Sequence, residues 1–281
     1  MEALLRHISE QQNIRVETVR RLTGGDINSV YLLTTNLDRV VLKINDAETF
    51  PNMFKAEAQG LNLLRTANAF EIPEIVSYGK FDTKTYLLLE YVPPGEKDST
   101  FWNRFAGNLA TLHRTTQAHF GLDHDNYIGS LRQYNSPERT AADFYLNQRL
   151  IPQFRMAAQR GFTFTALERF YKNLFDIIPT EVPSLIHGDL WGGNYIVSER
   201  GSPTLIDPAV AFAPREMDLA MMHLFGGFDP VVFNHYDEIF RLEANWKERQ
   251  PLWQLYYLLV HLNLFGRSYH GRVQEAISKY A

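Results

Sequence analysis

Alternation between apolar and polar residues marks the first ninety positions of the chain as rich in strands. β-Branched and aromatic residues recur with partial alternation in five segments separated by turn-forming residues: 14–22, 29–35, 39–45, 74–80 and 84–92. A different spacing occupies residues 50–67, where Phe54, Leu61 and Leu64 fall on one helical stripe. The pattern predicts a small antiparallel sheet interrupted by one helix.

The pattern changes at "PPGEKD", residues 93–98, a cluster of turn-forming residues. Beyond it the spacing is mostly helical, and the predicted helices cover 100–116, 138–159, 165–178 and a set that starts near residue 214. Two short apolar runs, residues 194–197 and 203–207, predict a hairpin among these helices. We therefore expect an α+β protein with a sheet lobe, residues 1–92, and a larger helical lobe, residues 93–281.

Composition narrows the class of protein. The chain has 281 residues, 45% hydrophobic and 21% charged, and its net charge of −4 argues against a nucleic-acid partner. It has no cysteine, which excludes disulfides, thiolate zinc sites and thiol nucleophiles. The N-terminal "MEALLRHISEQQ" lacks the apolar core of a secretory signal, and "LWQLYYLLVHLNLF" is too short to cross a membrane. We expect a cytoplasmic protein without a membrane partner.

The first candidate for chemistry is the turn in "LTGGDINSVYLL". Gly24 and Gly25 lie between two predicted strands, and Asn28 and Ser29 precede the second strand. Glycine lets the backbone approach an anion closely, so that amides can donate to it. A plain hairpin turn is the alternative, because a short glycine loop is a weak signal.

A lysine on the third predicted strand is the second candidate. Alternation places Lys43 on the face opposite Val40, Leu42 and Ile44, toward the glycine turn. Glu57 follows on the predicted helix, and a helical glutamate can hold a phosphate-binding lysine in position. The alternatives are a lysine that protects a sheet edge and a solvated glutamate.

The segment "LLLEYVPPG" ends the predicted sheet lobe. An extended hinge offers free backbone donors and acceptors that suit an adenine edge, and Glu90 and Val92 would present them. A linker without a ligand is the alternative, and the two interpretations are compatible.

The most specific segment is "SLIHGDLWGGNYIVSERGSPTLIDPAV". An exposed Asp189 could accept the proton of a substrate hydroxyl, while Asn194 and Asp207 carry hard oxygen ligands suited to Mg²⁺. Capping and turn residues are the alternative interpretation. The order of glycine turn, lysine, glutamate, hinge, aspartate, asparagine and aspartate favours one ATP-dependent phosphotransferase cleft.

With these residues in view, the chain resembles the fructosamine/ketosamine-3-kinase family, a branch of the protein-kinase-like small-molecule kinases. The motif "HGDLWGGN" is the most telling part of the resemblance. Three further segments support it: "FGLDHDNYIGS", "REMDLAMMHLFGGF" and "HLNLFGRSY". The resemblance implies a protein-kinase-like two-lobe fold.

The resemblance also implies roles for individual residues. Asp189 would be the catalytic base, and Asn194 and Asp207 would bind Mg²⁺. The ATP site would be formed by Gly24, Gly25, Asn28, Ser29, Lys43, Glu57, Glu90, Tyr91 and Val92. Asp218 is interpreted as a support of the catalytic loop, and His113 as structural.

The family phosphorylates the 3-hydroxyl of ketoses attached to amines, free or on proteins, and the unstable product releases the amine. Trp191 could offer an apolar face to this substrate and His261 could line its pocket, although burial in the core is the alternative for both. Ala213 and Pro214 depart from the family pattern in a loop that could border the acceptor. Other acceptors, such as an amino sugar or a choline-like alcohol, and a nucleotide-binding pseudoenzyme are the competing hypotheses.

Overall fold

The computed structural model describes residues 1–22 and 27–281, so Gly24 and Gly25 lie outside the described residues. Its N-terminal part is built on a five-stranded antiparallel sheet in the order β1-β2-β3-β5-β4. The strands are β1 (Val16–Arg21), β2 (Ser29–Thr35), β3 (Arg39–Asp46), β4 (Ile75–Phe81) and β5 (Lys84–Glu90). The five strands predicted from the alternation are confirmed.

Two helices cover opposite faces of this sheet. Helix α2 (Met53–Thr66) is the predicted one, and it packs in the same core as Leu87 and Leu89 of β5. Helix α1 (Glu2–Gln12) covers the other face. There Leu4 and Ile8 pack against the strand side chains that alternate along the sheet with Leu87 and Leu89. The sequence analysis missed α1, although the i, i+4 spacing of Leu4 and Ile8 is a helical signal.

The C-terminal part is mainly helical, and the helices predicted there are confirmed. They are α3 (Phe101–His113), α4 (Ala141–Phe144), α5 (Ile151–Gln159), α6 (Leu167–Ile177), α7 (Glu216–Phe225), α8 (Val231–Ile239), α9 (Trp246–Phe265) and α10 (His270–Tyr280). A π-helical turn, Tyr145–Leu150, joins α4 to α5, so the single helix predicted over residues 138–159 has three parts. None of the helices in the described residues combines the length and hydropathy needed to cross a membrane.

Three small strand pairs are set among these helices. The predicted hairpin is present as β9 (Tyr195–Val197) with β10 (Pro203–Leu205). The other pairs are β6 (Asn126–Ile128) with β7 (Leu131–Gln133), and β8 (Ser184–Ile186) with β11 (Ala211–Ala213). Each of these strands has three residues, too few to show an alternating pattern.

The two parts of the chain share a hydrophobic core. Phe70 contacts Phe105 edge to face with ring centroids 5.2 Å apart, and the amide of Leu205 donates to the carbonyl of Glu71 at 3.0 Å. The segment that follows α2 is therefore held against α3 and β10. We retain the lobe boundary after residue 92 as a proposal.

The contact between α1 and the sheet generates a stability prediction. Ile8 is fully buried, so we expect Ile8→Ala to lower the free energy of unfolding by about 3 kcal/mol through lost burial and a residual cavity. Glu10→Ala, at an exposed position of the same helix, is the control. Urea unfolding measures both, and equal stabilities would show that α1 does not support the sheet.

Candidate active site

The loop that carries Asp189 begins where β8 ends and lies against the segment that follows Asp207. Gly188 has φ +82°, and a Cβ there would collide with the carbonyl oxygen of Ala209. The amide of Ala209 donates to the carbonyl of His187 at 2.9 Å. Only glycine fits this position, because it tolerates positive φ and leaves room for the neighbouring backbone.

A fully buried carboxylate holds the same loop from the other side. Asp218 accepts hydrogen bonds from the amides of His187, at 2.8 Å, and Gly188, at 2.9 Å. His113 lies 3.2 Å from Asp218 through Nε2 and 2.8 Å from the hydroxyl of Tyr236 through Nδ1. Burial lowers the pKa of His113, so the neutral ring donates to Asp218 and accepts from Tyr236. The structural interpretation of Asp218 and His113 is consistent with these contacts.

Asn194 contacts Asp189 directly. Its Nδ2 donates to the carbonyl of Asp189 at 2.8 Å and to the carboxylate at 3.0 Å. Both partners are acceptors, so they fix the orientation of the carboxamide, and Oδ1 has no hydrogen-bond partner within residues 1–22 and 27–281. Burial raises the pKa of Asp189 to about 7, although the hydrogen bond from Asn194 and the charge of Asp207 also act on it, in opposite directions.

Lys43 lies between two carboxylates. Its Nζ is 2.7 Å from Glu57 of α2 and 2.9 Å from Asp207, which follows β10. The side chain is buried, which by itself lowers its pKa, but Asp207 and Glu57 outweigh this effect and raise the pKa above its ordinary value. Lys43 is therefore a buried cation. The pair with Glu57 was expected, whereas the contact with Asp207 was missed because the two are distant in sequence.

The expected adenine hinge leaves β5 at Glu90. The amide of Glu90 donates to the carbonyl of Glu74 at 2.8 Å, and the Glu90 carboxylate accepts from the Glu74 amide at 3.0 Å. The guanidinium of Arg39 lies 4.5 Å above the ring of Tyr91. The amide of Val92 has no partner within residues 1–22 and 27–281, so it is available to a ligand. The Glu90 amide is not.

Near the glycine turn, the structure describes Asn28 and Ser29. Asn28 accepts a hydrogen bond from the carboxamide of the buried Asn45 at 2.5 Å. Ser29 begins β2 and pairs with Ile44 of β3, next to Lys43. Asn28 and Ser29 are thus joined to the strand that carries the lysine.

Trp191 and His261 are linked through neighbouring residues, by a backbone hydrogen bond and a ring stack. Trp191 is 41% exposed, so its interpretation as a core residue is wrong. The amide of Gly192 donates to the carbonyl of Gly226 at 3.0 Å, and the preceding Phe225 stacks on His261 with centroids 4.5 Å apart. His261 is half-buried, its Nδ1 donates to the carbonyl of Tyr257, and burial lowers its pKa. Its Nε2 is therefore an unprotonated acceptor.

Ala213 and Pro214, the two residues that depart from the family pattern, lie in the interior of the protein. Both residues are buried, and Ala213 pairs with Ser184 across the β8–β11 ladder. The following Arg215 donates to the carbonyls of Phe240 and Arg241. The expectation that this loop borders an acceptor pocket is therefore not supported, because neither side chain is presented at a surface.

Two residues that the sequence analysis did not identify hold the backbone after Asp207. Asn126 donates to the carbonyl of Val210 at 2.8 Å, and Gln133 donates to the carbonyl of Ala209 at 3.0 Å. The signal was present, since Asn126 belongs to the segment "FGLDHDNYIGS". Its partner could not be read from spacing, because the hydrogen bond joins residues 84 positions apart.

Comparison of the sequence with known proteins identifies its family and relatives. The sequence matches the fructosamine kinase family over residues 1–281. It is similar to a probable ketoamine kinase of Enterococcus faecium, with 38% identity across 92% of this chain and 94% of that protein. A probable ketoamine kinase of Vibrio parahaemolyticus is 36% identical over 92% of this chain and 91% of its own length.

Structural comparison gives the same family and a broader fold. A Thermobifida fusca protein assigned as a fructosamine-3-kinase has a TM-score of 0.87 and 31% identity, covering 100% of this chain and 99% of that one. Aminoglycoside phosphotransferase APH(4)-Ia has a TM-score of 0.61 at 15% identity, covering 100% and 99%. The second likeness concerns the fold alone, and the expected protein-kinase-like fold is confirmed.

The carboxyl of Asp189 generates a prediction on stability. Its pKa is raised from 3.8 to about 7, so between these values the folded protein binds more protons than the unfolded chain, and stability falls as pH rises. Asp189→Asn removes this titration. We expect its stability relative to the parent to increase between pH 5 and pH 8, by on the order of 1 kcal/mol because Asp189 stays partly exposed.

Urea unfolding at the two pH values measures the effect. Asp176→Asn, at an exposed position of α6, is the matched control. A stability difference that does not change with pH would show that folding does not perturb the titration of Asp189.

Proposed function

Because this chain belongs to the fructosamine kinase family, we propose that it transfers the terminal phosphoryl group of ATP to the 3-hydroxyl of an amine-linked ketose. Fructosyl-lysine and ribulosyl-lysine are examples of such a substrate, free or on a protein. Phosphorylation would make the adduct unstable and return the free amine. The observation that carries the proposal is the pairing of Asp189 with Asn194 and of Asp207 with Lys43, in segments joined by a hydrogen bond from the amide of Ile206 to the carbonyl of Asn194 at 3.1 Å.

Asp189 is the proposed base. Phosphoryl transfer has a loose transition state, so the main tasks of the protein are to align the reactants and to stabilise charge. A carboxylate held by Asn194 is oriented to accept the proton of the acceptor hydroxyl. A pKa of about 7 leaves a substantial ionised fraction near neutral pH and a basicity higher than that of an ordinary aspartate.

Mg²⁺ is the proposed metal, with Asn194 and Asp207 as its protein ligands. The donor set fits, because the Oδ1 of Asn194 has no partner in the part of the chain that the structure describes and the Asp207 side chain, 48% exposed, bonds Lys43 through one oxygen. The described residues contain no group of three His, Cys, Asp or Glu arranged for a metal ion. Two oxygen ligands suit Mg²⁺, which takes others from phosphates and water. Bound there, Mg²⁺ would neutralise charge on the phosphates.

Lys43 and the hinge form the proposed ATP site. Glu57 fixes the ammonium of Lys43 beside Asp207, so the cation is in place before a phosphate arrives. The free amide of Val92 suits a ring nitrogen of adenine. Tyr91, the Glu90 carbonyl, Asn28, Ser29 and the glycines at 24 and 25 complete this assignment as predictions from the family resemblance.

Trp191 and His261 are the proposed acceptor residues. An exposed tryptophan two positions after Asp189 can cover the apolar face of a sugar or contact an ammonium group. The unprotonated Nε2 of His261 can accept a hydrogen bond from a hydroxyl or an ammonium. These properties support an amine-linked sugar, in agreement with the ketoamine named in the relatives.

The substrate assignment is tested by following ADP release with Mg²⁺ and ATP. We expect turnover of fructosyl-lysine or ribulosyl-lysine, and none of choline, an aminoglycoside or free ketoses. Asp189→Asn should lose about 10²–10⁴-fold in turnover while it still binds ATP. Turnover of another acceptor would retain the mechanism and reject the substrate. ATP binding without any turnover would contradict the proposal as a whole.

The role of Asp189 also predicts a pH profile. We expect kcat/KM for the Mg²⁺–ATP complex, which reports the ionisation of the enzyme before the nucleotide binds, to rise with pH and level off above about 7 as the carboxyl ionises. The measurement uses ATP held as its Mg²⁺ complex, so that ATP itself titrates little. The residual activity of Asp189→Asn should lack this rise. A parent profile that is flat between about pH 5.5 and 8.5 would contradict the assignment of Asp189 as the base.

A further inference from the structure

The hairpin formed by β6 and β7 contacts both elements that supply carboxylate partners to Lys43. Toward α2, which carries Glu57, the hydroxyl of Tyr127 donates to the carbonyl of Pro51 at 3.0 Å. Toward Asp207, the hairpin contacts the backbone that follows this residue, at Ala209 and Val210. A hairpin in this place can set the distance between the two carboxylates.

Two buried carboxamides make the contact with the Asp207 segment. Asn126 is 4% exposed and donates to the carbonyl of Val210, and Gln133 is 2% exposed and donates to the carbonyl of Ala209. Gln133 also donates to Asn126 at 2.8 Å. The carbonyls two and three positions after Asp207 are thus bonded by one hairpin.

The orientation of these carboxamides is fixed by their other partners. The hydroxyl of Tyr256 donates to Oε1 of Gln133 at 2.8 Å, and Asn135 donates to Oδ1 of Asn126 at 2.9 Å. Arg149 in turn donates to Oδ1 of Asn135 at 2.9 Å. In the three carboxamides every oxygen accepts and every nitrogen donates, so a reversed carboxamide would place like atoms together.

Asp207 has a backbone conformation that needs such support. Its φ is +54°, in the left-handed region that non-glycine residues adopt at a cost, and such residues persist where their surroundings hold them. We propose that Gln133 and Asn126 are positioning residues that hold the Asp207 carboxylate in the place where it binds Mg²⁺ with ATP. This inference rests on the metal role of Asp207 in the proposed function.

The test measures how much Mg²⁺ tightens the binding of a non-hydrolysable ATP analogue, by calorimetry with Mg²⁺ and with EDTA. We expect Gln133→Met to reduce this tightening about tenfold, the usual scale for residues that support a metal ligand, with metal-free binding unchanged. Gln153→Met is the matched control, because this equally buried carboxamide bonds to Asn263 instead. Both variants should lose stability in urea unfolding.

Three outcomes separate the inference from its premise. If Asp207→Asn leaves the Mg²⁺-dependent tightening unchanged, the metal role in the proposed function is wrong. If Asp207→Asn removes it but Gln133→Met behaves like Gln153→Met, the positioning role is wrong. If Gln133→Met does not fold, Gln133→Glu is measured. It retains the acceptor for Tyr256 but places an oxygen against Ala209, and equal tightening in this variant and the parent would also overturn the inference.

Discussion

Lys43 is buried beside the ring of Phe54, and its ammonium is balanced by Glu57 at 2.7 Å and Asp207 at 2.9 Å. A cation in such a place is tolerated only when it is paired, and removal of one partner of a buried pair costs about 3–5 kcal/mol. The three residues come from β3, α2 and the loop after β10. Sheet, helix and loop must therefore keep their relative positions for the charge to be accommodated.

The same charges govern the neighbouring acid. Asp207 raises the pKa of Asp189, together with the larger effect of burial, while Asn194 acts in the opposite direction. Because Lys43 already partners Asp207, less of the negative charge of Asp207 acts on Asp189 than if Asp207 were unpaired. A cation arriving near Asp207 and Asn194 would favour the ionised form of Asp189 further. The pair at Lys43 and the proton on Asp189 are thus coupled electrostatically.

The sequence predicts what depends on local pattern. Alternation in β3 correctly placed Lys43 on the face opposite Leu42. The apolar stripe predicted helix α2, which carries Glu57, the partner of Lys43. It could not predict the contact of Lys43 with Asp207, because 164 residues separate them. The hydrogen bond from Gln133 to the Ala209 carbonyl was hidden for the same reason. Such contacts depend on how distant segments pack, which no local spacing reports.

The proposed phosphate side of the site is more tightly constrained by packing and hydrogen bonds than the proposed acceptor side. On the phosphate side, Gly188 has no room for a side chain, and Asp218 and the Gln133 carboxamide are fully bonded, so a substitution there disturbs several partners at once. On the proposed acceptor side, Trp191 is 41% exposed and can change without opening the core. A single substitution can therefore change the proposed acceptor side while the core stays intact, whereas a substitution on the proposed phosphate side disturbs the fold around it.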